Sequence, residues 1–225
     1  VKSGIPIADL GAGLYAVIGI LSAIQSREKN DSGEHVDISM LDTQVSLLTY
    51  MATMHFLSGE NPEPIGNQHM NHVPFNSYRT LDGFIQIGVV AEDFWPSLIE
   101  ALDLRQLDTE ENKVRIGRLK NRENIDEALQ EVFITNSTEH WLKILQEHRV
   151  PCGPINTLSE TFEDADLLKR NMIVEVLQDS GASVKMPGNP VKISNHDEEF
   201  RRSPKLGEHT AEIFKNWLNK DISVD

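Results

Sequence analysis

The sequence is poor in cysteine and in positive charge, and each shortage argues against certain classes of protein. Cys152 is the single cysteine among 225 residues, so no intramolecular disulfide can form, and a reducing compartment, the cytoplasm, is expected. Lysine and arginine number 21 against 35 aspartate and glutamate residues, a formal net charge of -14 at pH 7. This charge argues against nucleic acid and anionic membrane as partners. An anionic small molecule stays open, because one local site can oppose the overall sign.

Long apolar runs are also lacking. The longest, residues 10–24, is shorter than the ~20 residues that a membrane span needs, and it contains three glycines and a serine. We therefore predict a buried helix and no membrane partner. No stretch has the pattern of a signal peptide. Because the sequence opens at Val1 without methionine and enters a strongly patterned helix within a few residues, we expect it to be part of a longer polypeptide.

The hydrophobic pattern of the first third predicts two helices and a short strand. Apolar residues at helical spacing predict a helix from about Asp9 to Ser26, with Asp9 as its cap. The alternating residues 35–39 predict a strand. Ser39, with an acidic residue three positions later, predicts the start of a second helix, which Gly59 ends.

The rest of the sequence alternates hairpin and helix signals. An Asp-Gly turn at 82–83 between two strand-like runs predicts a β-hairpin. Further segments are predicted as four helices, with Ser137 capping the fourth, one or two helical turns, a second hairpin and a last helix. The four helices lie at about 92–104, 110–119, 124–134 and 137–148. The helical turns lie at about 158–162, the second hairpin at 173–186, and the last helix after 207–210.

Asp9 stands at the head of an apolar helix that is rich in glycine. An unpaired carboxylate is costly to bury, and Gly11, Gly13 and Gly19 each cost roughly 0.5 to 1 kcal/mol relative to alanine inside a helix. We therefore expect a ligand or another backbone to approach the helix closely. Aspartate is a favoured helix cap, and carboxylates also act as covalent nucleophiles. The pattern alone leaves both roles open.

The segment Gly66–His72 places two histidines and several amide side chains in one polar loop. It belongs to a polar stretch, residues 61–74, that is too long for a simple connection. Two histidines three residues apart are compatible with zinc, but no cysteine and no third ligand of the usual spacing is nearby, so we predict no metal site. Contact with a substrate and an inert solvated linker both remain open.

Five stretches together resemble the class III coenzyme A transferases, a family that includes formyl-CoA transferase, carnitine CoA-transferase and the 2-methylacyl-CoA racemases. They follow the family's order along nearly the whole sequence, which is more specific than any single motif. The match corresponds to the part of a full-length member that begins at the catalytic aspartate. The stretches are 8–16 (ADLGAGLYA), 33–42 (GEHVDISMLD), 73–83 (VPFNSYRTLDG), 150–155 (VPCGPI) and 206–210 (LGEHT).

The resemblance implies a reaction and a set of site residues. Asp9 would attack an acyl-CoA thioester, and CoA would pass through an aspartyl thioester to a carboxylic acid acceptor. Coenzyme A is then a substrate, and no covalently bound cofactor is expected. Gly11 would admit the thioester and take part in substrate binding. Asn67, His69 and Asn71 lie where some transferases carry a mobile glycine-rich flap, and they are expected to bind the acyl or acceptor group.

The resemblance also implies an α/β fold and a homodimer of interlocked chains. Residues 1–64 and 166–225 would belong to a Rossmann-like large domain, and residues 65–165 would form a small α+β domain. Without the preceding half, a strand near Val36 would lack its sheet neighbours, so we expect a folded chain to depend on a missing segment or a second copy. Two alternatives stay open: an acyl-CoA racemase of the same family, and a truncated, noncatalytic oligomerisation partner.

Overall fold

The computed structural model describes residues 3–220, and within this range the chain divides into two compact units. Unit 1 ends at Gly66 and unit 2 begins at Asn67. Unit 1 contains the helices α1 (Ile7–Asn30), α2 (Met40–Leu47) and α3 (Tyr50–Ser58). Unit 2 contains five strands and seven α-helices over the residues that the structure describes. The coarse prediction of a mixed α/β fold is therefore confirmed.

The helix α1 begins two residues before the predicted start. Pro6 occupies the capping position, with no side-chain cap hydrogen bond, and its carbonyl accepts the first helical bond from the Leu10 N–H at 3.0 Å. Because the first amides of a helix have no helical acceptor, the missing N–H of proline costs nothing there. The prediction that Asp9 caps this helix is wrong. Asp9 is instead the third residue of its first turn.

The predicted burial of α1 is also wrong for this chain. Gly11 is its one buried residue, while Leu14 is 68% exposed and Ile18 and Leu21 are each 60% exposed. Among residues 3–66, α2 and an extended segment pack against α1, and they leave most of its apolar side chains exposed. By length and composition alone α1 could cross a membrane, although the core helix of a soluble protein passes the same test. The expectation of no membrane partner stays a prediction.

Two further predictions for unit 1 need correction. The strand predicted at residues 35–39 is an extended segment without a ladder, because residues 3–66 include no other strand to pair with it. The single second helix is broken into α2 and α3 at Thr49, whose φ is 49°. The predicted signals at its two ends are confirmed. The Ser39 Oγ accepts from the Asp42 N–H at 3.2 Å, and Gly59 ends α3 with a φ of 74°.

The first part of unit 2 is built on a three-stranded antiparallel sheet in the order β1-β2-β3. The strands β1 (Phe75–Arg79) and β2 (Phe84–Gly88) form the predicted hairpin, in which Arg79 pairs with Phe84. The strand β3 (Cys152–Pro154) pairs with the other edge of β2. The sequence analysis missed β3, because three residues that contain a proline and a glycine carry no strand pattern.

Four helices enclose the core of unit 2, as predicted, although their bounds differ from the predicted ones: α4 (Phe94–Leu102), α5 (Arg115–Lys120), α6 (Arg122–Phe133) and α7 (Thr138–Glu147). The Ser137 cap is confirmed, since its Oγ accepts from the His140 N–H at 3.3 Å. The rings of Phe133 and Trp141 meet edge to face at 5.6 Å, a favoured aromatic geometry. Fully buried members of this core include Val73, Ile85, Val89, Leu98, Ile125, Leu129 and Leu145.

The last part of unit 2 contains two short helices, a second hairpin and a final helix. These are α8 (Leu158–Glu163), α9 (Ala165–Lys169), β4 (Ile173–Leu177), β5 (Ser183–Pro187) and α10 (Thr210–Leu218). The hairpin β4-β5 is antiparallel, which confirms that prediction. The division into segments 1–64, 65–165 and 166–225 stays a prediction.

Candidate active site

Asp9 lies on the solvent-exposed surface of unit 1. It belongs to the first turn of a helix 24 residues long, where the aligned peptide dipoles favour a negative charge. The residues of unit 1 do not desolvate it. Asp9 is therefore a solvent-accessible carboxylate, and no side chain of residues 3–66 seals it from solvent.

Two of the three glycines in α1 are explained by neighbouring side chains. A Cβ added at Gly11 would lie 3.0 Å from the Thr43 Cγ2 atom, and one added at Gly19 would lie 2.8 Å from the Val36 Cγ1 atom. These glycines let α2 and the extended segment approach α1 closely. A Cβ at Gly13 would meet no atom within 4 Å. The role of Gly11 in substrate binding stays a prediction.

Asn67, His69 and Asn71 are brought together in one loop at the start of unit 2, residues 67–73, which we call the substrate loop after the role predicted for these residues. Asp9 and Gly11 lie together in unit 1. The Asn67 Nδ2 donates to the Ser77 Oγ at 2.7 Å, and the His69 N–H donates to the Phe75 carbonyl at 3.1 Å. These bonds attach the beginning of the loop to strand β1.

Three arginines donate to backbone carbonyls of the substrate loop. The Arg115 Nη1 donates to the Asn71 carbonyl at 3.1 Å, and the Arg118 Nε donates to the Val73 carbonyl at 2.8 Å. The Arg122 Nη2 donates to the His69 carbonyl at 2.8 Å. We call these three residues the arginine clamp. The sequence analysis missed them; their only signal is the spacing i, i+3, i+7, which is typical of one helix face.

The central arginine of the clamp is buried. Arg118 is 1% exposed, its Nη2 contacts the Glu92 Oε2 at 2.7 Å, and its guanidinium carbon lies 5.2 Å from the centre of the Trp95 ring. Partial burial pushes the pKa of Glu92 upward, but hydrogen bonds from the Arg118 side chain and the Arg115 N–H outweigh it and lower that pKa. The buried charge of Arg118 is thus paired with Glu92, as a buried cation requires.

The two histidines of the substrate loop lie against each other. Their ring centres are 4.8 Å apart, and the Asn71 N–H donates to the His69 Nδ1 at 3.0 Å. Burial, and then the nearby charges of His69, Arg115 and Arg118, lower the pKa of His72. No group of three or more side chains suited to a metal ion occurs among residues 3–220.

A family model described as CoA-transferase family III matches residues 1–210. The chain belongs to CoA-transferase family III. The predicted resemblance is thereby confirmed. This family III chain is 29% identical over 223 residues to the human protein named succinyl-CoA:glutarate CoA-transferase, with 98% of this chain and 51% of that protein covered. It is 30% identical over 217 residues to the Acetobacter aceti protein named acetyl-CoA:oxalate CoA-transferase, with 95% and 54% covered.

Two solved structures share the fold of this chain. A CaiB/BaiF family protein from Brucella suis is 30% identical, superposes with a TM-score of 0.76, and is matched over 95% of this chain and 56% of its own. A protein from Mycobacterium tuberculosis, 18% identical with a TM-score of 0.78 over 93% and 56%, shows the likeness of fold alone. This family III chain therefore spans about half the length of the curated relatives and solved structures that it matches.

Proposed function

We propose that the complete polypeptide containing this chain transfers coenzyme A between carboxylic acids, with Asp9 as the nucleophile. The observation that carries the proposal is an exposed carboxylate in the first turn of a long helix, in a chain that belongs to CoA-transferase family III. The relatives named above exchange CoA with glutarate or oxalate. Since both are dicarboxylic acids, a short dicarboxylic acid is the acceptor class we propose.

The chemistry needs only carboxylates and one thiol. A carboxylate oxygen of Asp9 attacks the thioester carbonyl carbon, the C–S bond breaks, and CoA leaves as a thiolate. The product of this step is an anhydride between Asp9 and the acyl group. The thiolate then attacks the Asp9 carbonyl carbon of this anhydride, which releases the donor acid and forms an aspartyl-CoA thioester. The acceptor carboxylate attacks that thioester, and the released thiolate attacks the acceptor carbonyl of the second anhydride. The CoA thioester of the acceptor acid leaves, and the Asp9 carboxylate is restored.

The chain's own groups support these steps in distinct ways. The N-terminal end of α1 stabilises the charge of the Asp9 carboxylate and of the oxyanions that form on it. Open space beside Gly13 leaves room for a thioester near the first turns. We propose that Gly11 borders the thioester and that Asn67, His69 and Asn71 bind the acyl or acceptor group. No metal or covalently bound cofactor enters this scheme.

The proposed assembly accounts for the surfaces left open in unit 1. The apolar side chains of α1 are exposed, and the extended segment at residues 32–39 has no ladder partner in unit 1. We propose that the rest of the polypeptide and a second copy cover them in a Rossmann-like domain of an interlocked homodimer. On this proposal α1 is a core helix of a cytoplasmic protein and does not enter a membrane.

Substitution of Asp9 tests the proposed function. In the complete polypeptide, Asp9→Asn and Asp9→Ala should lower transfer from acyl-CoA to a dicarboxylic acid by on the order of 10³-fold or more, because the covalent intermediate cannot form. Asp31→Asn is the matched control, an exposed aspartate at the other end of α1, and should leave transfer unchanged. Hydroxylamine or borohydride trapping followed by mass spectrometry should locate the intermediate on Asp9.

Two results would contradict this function. One is transfer that persists in both Asp9 variants. The other is incorporation of solvent deuterium at the α-carbon of an acyl-CoA without any acceptor acid, which would indicate a racemase. A complete polypeptide that binds no acyl-CoA and turns over nothing would favour the noncatalytic alternative.

A further inference from the structure

The substrate loop is held through its backbone from the side of α5 and α6. The arginine clamp donates hydrogen bonds to the carbonyls of residues 69, 71 and 73, which are alternate positions along the loop. Gln68 adds a contact on the same side, since its Nε2 donates to the Asp126 Oδ2 of α6 at 2.9 Å. Charge-assisted donors to every second carbonyl specify a single loop conformation. This arrangement is the opposite of a mobile glycine-rich flap.

Within the arginine clamp, Arg122 contacts the backbone of His69, a residue that is predicted to bind substrate. Its Nη2 lies 2.8 Å from the His69 carbonyl and 3.5 Å from the Met70 carbonyl, so one guanidinium spans two consecutive peptides. The His69 ring is fixed from the other direction by the Asn71 N–H, and the Asn71 carbonyl is held by Arg115. The backbone at 69 and at 71 and the ring between them are therefore fixed together.

We propose that Arg122 is a positioning residue, which fixes the peptide at His69 and so holds the substrate loop in the conformation that binds the acceptor acid. This inference rests on the proposed function. Both contacts come from one nitrogen of Arg122, so a lysine at this position keeps part of the interaction.

The experiment compares Arg122→Ala and Arg122→Lys with Arg105→Ala in the complete polypeptide. Arg105 is the matched control, because it lies in the same unit and its side chain is 89% exposed in an ion pair with Asp103. Hydrogen exchange of the amides of residues 68–72 is measured without substrate. The KM for the acceptor acid, the KM for the acyl-CoA donor and kcat are measured separately.

We expect Arg122→Ala to speed amide exchange in the loop by about tenfold or more and to raise the acceptor KM by about tenfold. The donor KM should change much less, because the first half-reaction precedes acceptor binding. Arg122→Lys should recover part of both effects, since it keeps the charge and one hydrogen bond. Arg105→Ala should change neither. A role confined to overall stability would not separate the two KM values in this way.

Unchanged loop exchange in Arg122→Ala would overturn the proposal, and so would faster exchange that leaves the acceptor KM unaltered. If the alanine variant fails to fold, the lysine variant decides by the same two measurements. Failure of the proposed function looks different: the unsubstituted protein would show no transfer, or Asp9→Ala would retain it. The exchange result would still establish whether Arg122 holds the loop.

Discussion

His72 is the residue whose titration most directly links the substrate loop to stability. Burial, His69, Arg115 and Arg118 lower its pKa from 6.5, while Glu92 raises it and is outweighed. The unfolded chain therefore binds a proton at His72 more readily than the folded chain does, at pH values between the lowered pKa and about 6.5. Stability that is present above about pH 6.5 is lost as the pH falls through the lowered pKa.

Replacement of His72 by asparagine should remove this part of the acid sensitivity. The difference in the free energy of unfolding between pH 8 and pH 5, measured by urea denaturation, should be smaller in His72→Asn than in the unsubstituted chain. His196→Asn, at an exposed position of unit 2, should leave the difference as it was. An equal difference in all three proteins would mean that the environment of His72 does not lower its pKa.

Some residues of the candidate site could be predicted from the sequence and others could not, for a physical reason. Asp9 was found because a charge and glycines stand out locally in an apolar helix. The arginine clamp was missed because Arg115, Arg118 and Arg122 are 44, 45 and 53 residues from the carbonyls that they hold. No local pattern encodes a contact at that separation, and three arginines spaced over eight residues resemble any solvated face.

Among the secondary elements, the turn of the β1-β2 hairpin also caps helix α7. The Asp82 Oδ1 accepts from the Thr138 N–H at 2.8 Å and from the Thr138 Oγ1 at 3.0 Å. These bonds, the backbone one first, lower the pKa of Asp82 below 3.8. An aspartate that the sequence marked only as a turn residue thus joins a hairpin to a helix end, where free N–H groups need acceptors.

Asp82→Ala should therefore lower the unfolding midpoint at pH 7, because two donors at the start of α7 lose their acceptor. Asp93→Ala is the matched control, since Asp93 precedes α4 and makes no side-chain cap hydrogen bond. Because the folded pKa of Asp82 is depressed, its contribution is present above about 3.8 and is lost as the pH falls through the folded value. The two variants should consequently converge in strongly acidic buffer. Equal midpoints at pH 7 would rule out the capping role.

Element boundaries were predictable where the signal is local. The caps at Ser39 and Ser137 and the helix end at Gly59 depend on residues within one turn, and all three are confirmed. The strand predicted at residues 35–39 does not form, and strand β3 forms although it was not predicted. Both errors arise because a strand exists only with a partner. Residues 35–39 have strand composition and no partner in unit 1, whereas β3 has a poor pattern and gains β2.

At the scale of the whole molecule, the two units differ in how completely each buries its own apolar residues. Unit 2 has a closed core of side chains from its sheet and helices. The three helices of unit 1 have only Gly11 and Thr43 buried, and its large apolar residues are mostly exposed. The free energy of folding depends mainly on burial of this kind, so the units should differ in their ability to fold alone.

We expect a fragment of residues 67–225 to fold cooperatively and a fragment of residues 1–66 to lack a cooperative unfolding transition. Trp95 and Trp141 are 1% and 7% exposed in unit 2, so the larger fragment should show blue-shifted tryptophan emission that shifts red in a single urea transition. Far-ultraviolet circular dichroism should follow the same transition. The smaller fragment should lose its helical signal gradually with urea and bind a dye specific for exposed apolar surface. A sharp transition in residues 1–66 alone would contradict this difference, and with it the proposal that α1 depends on a covering segment or a second copy.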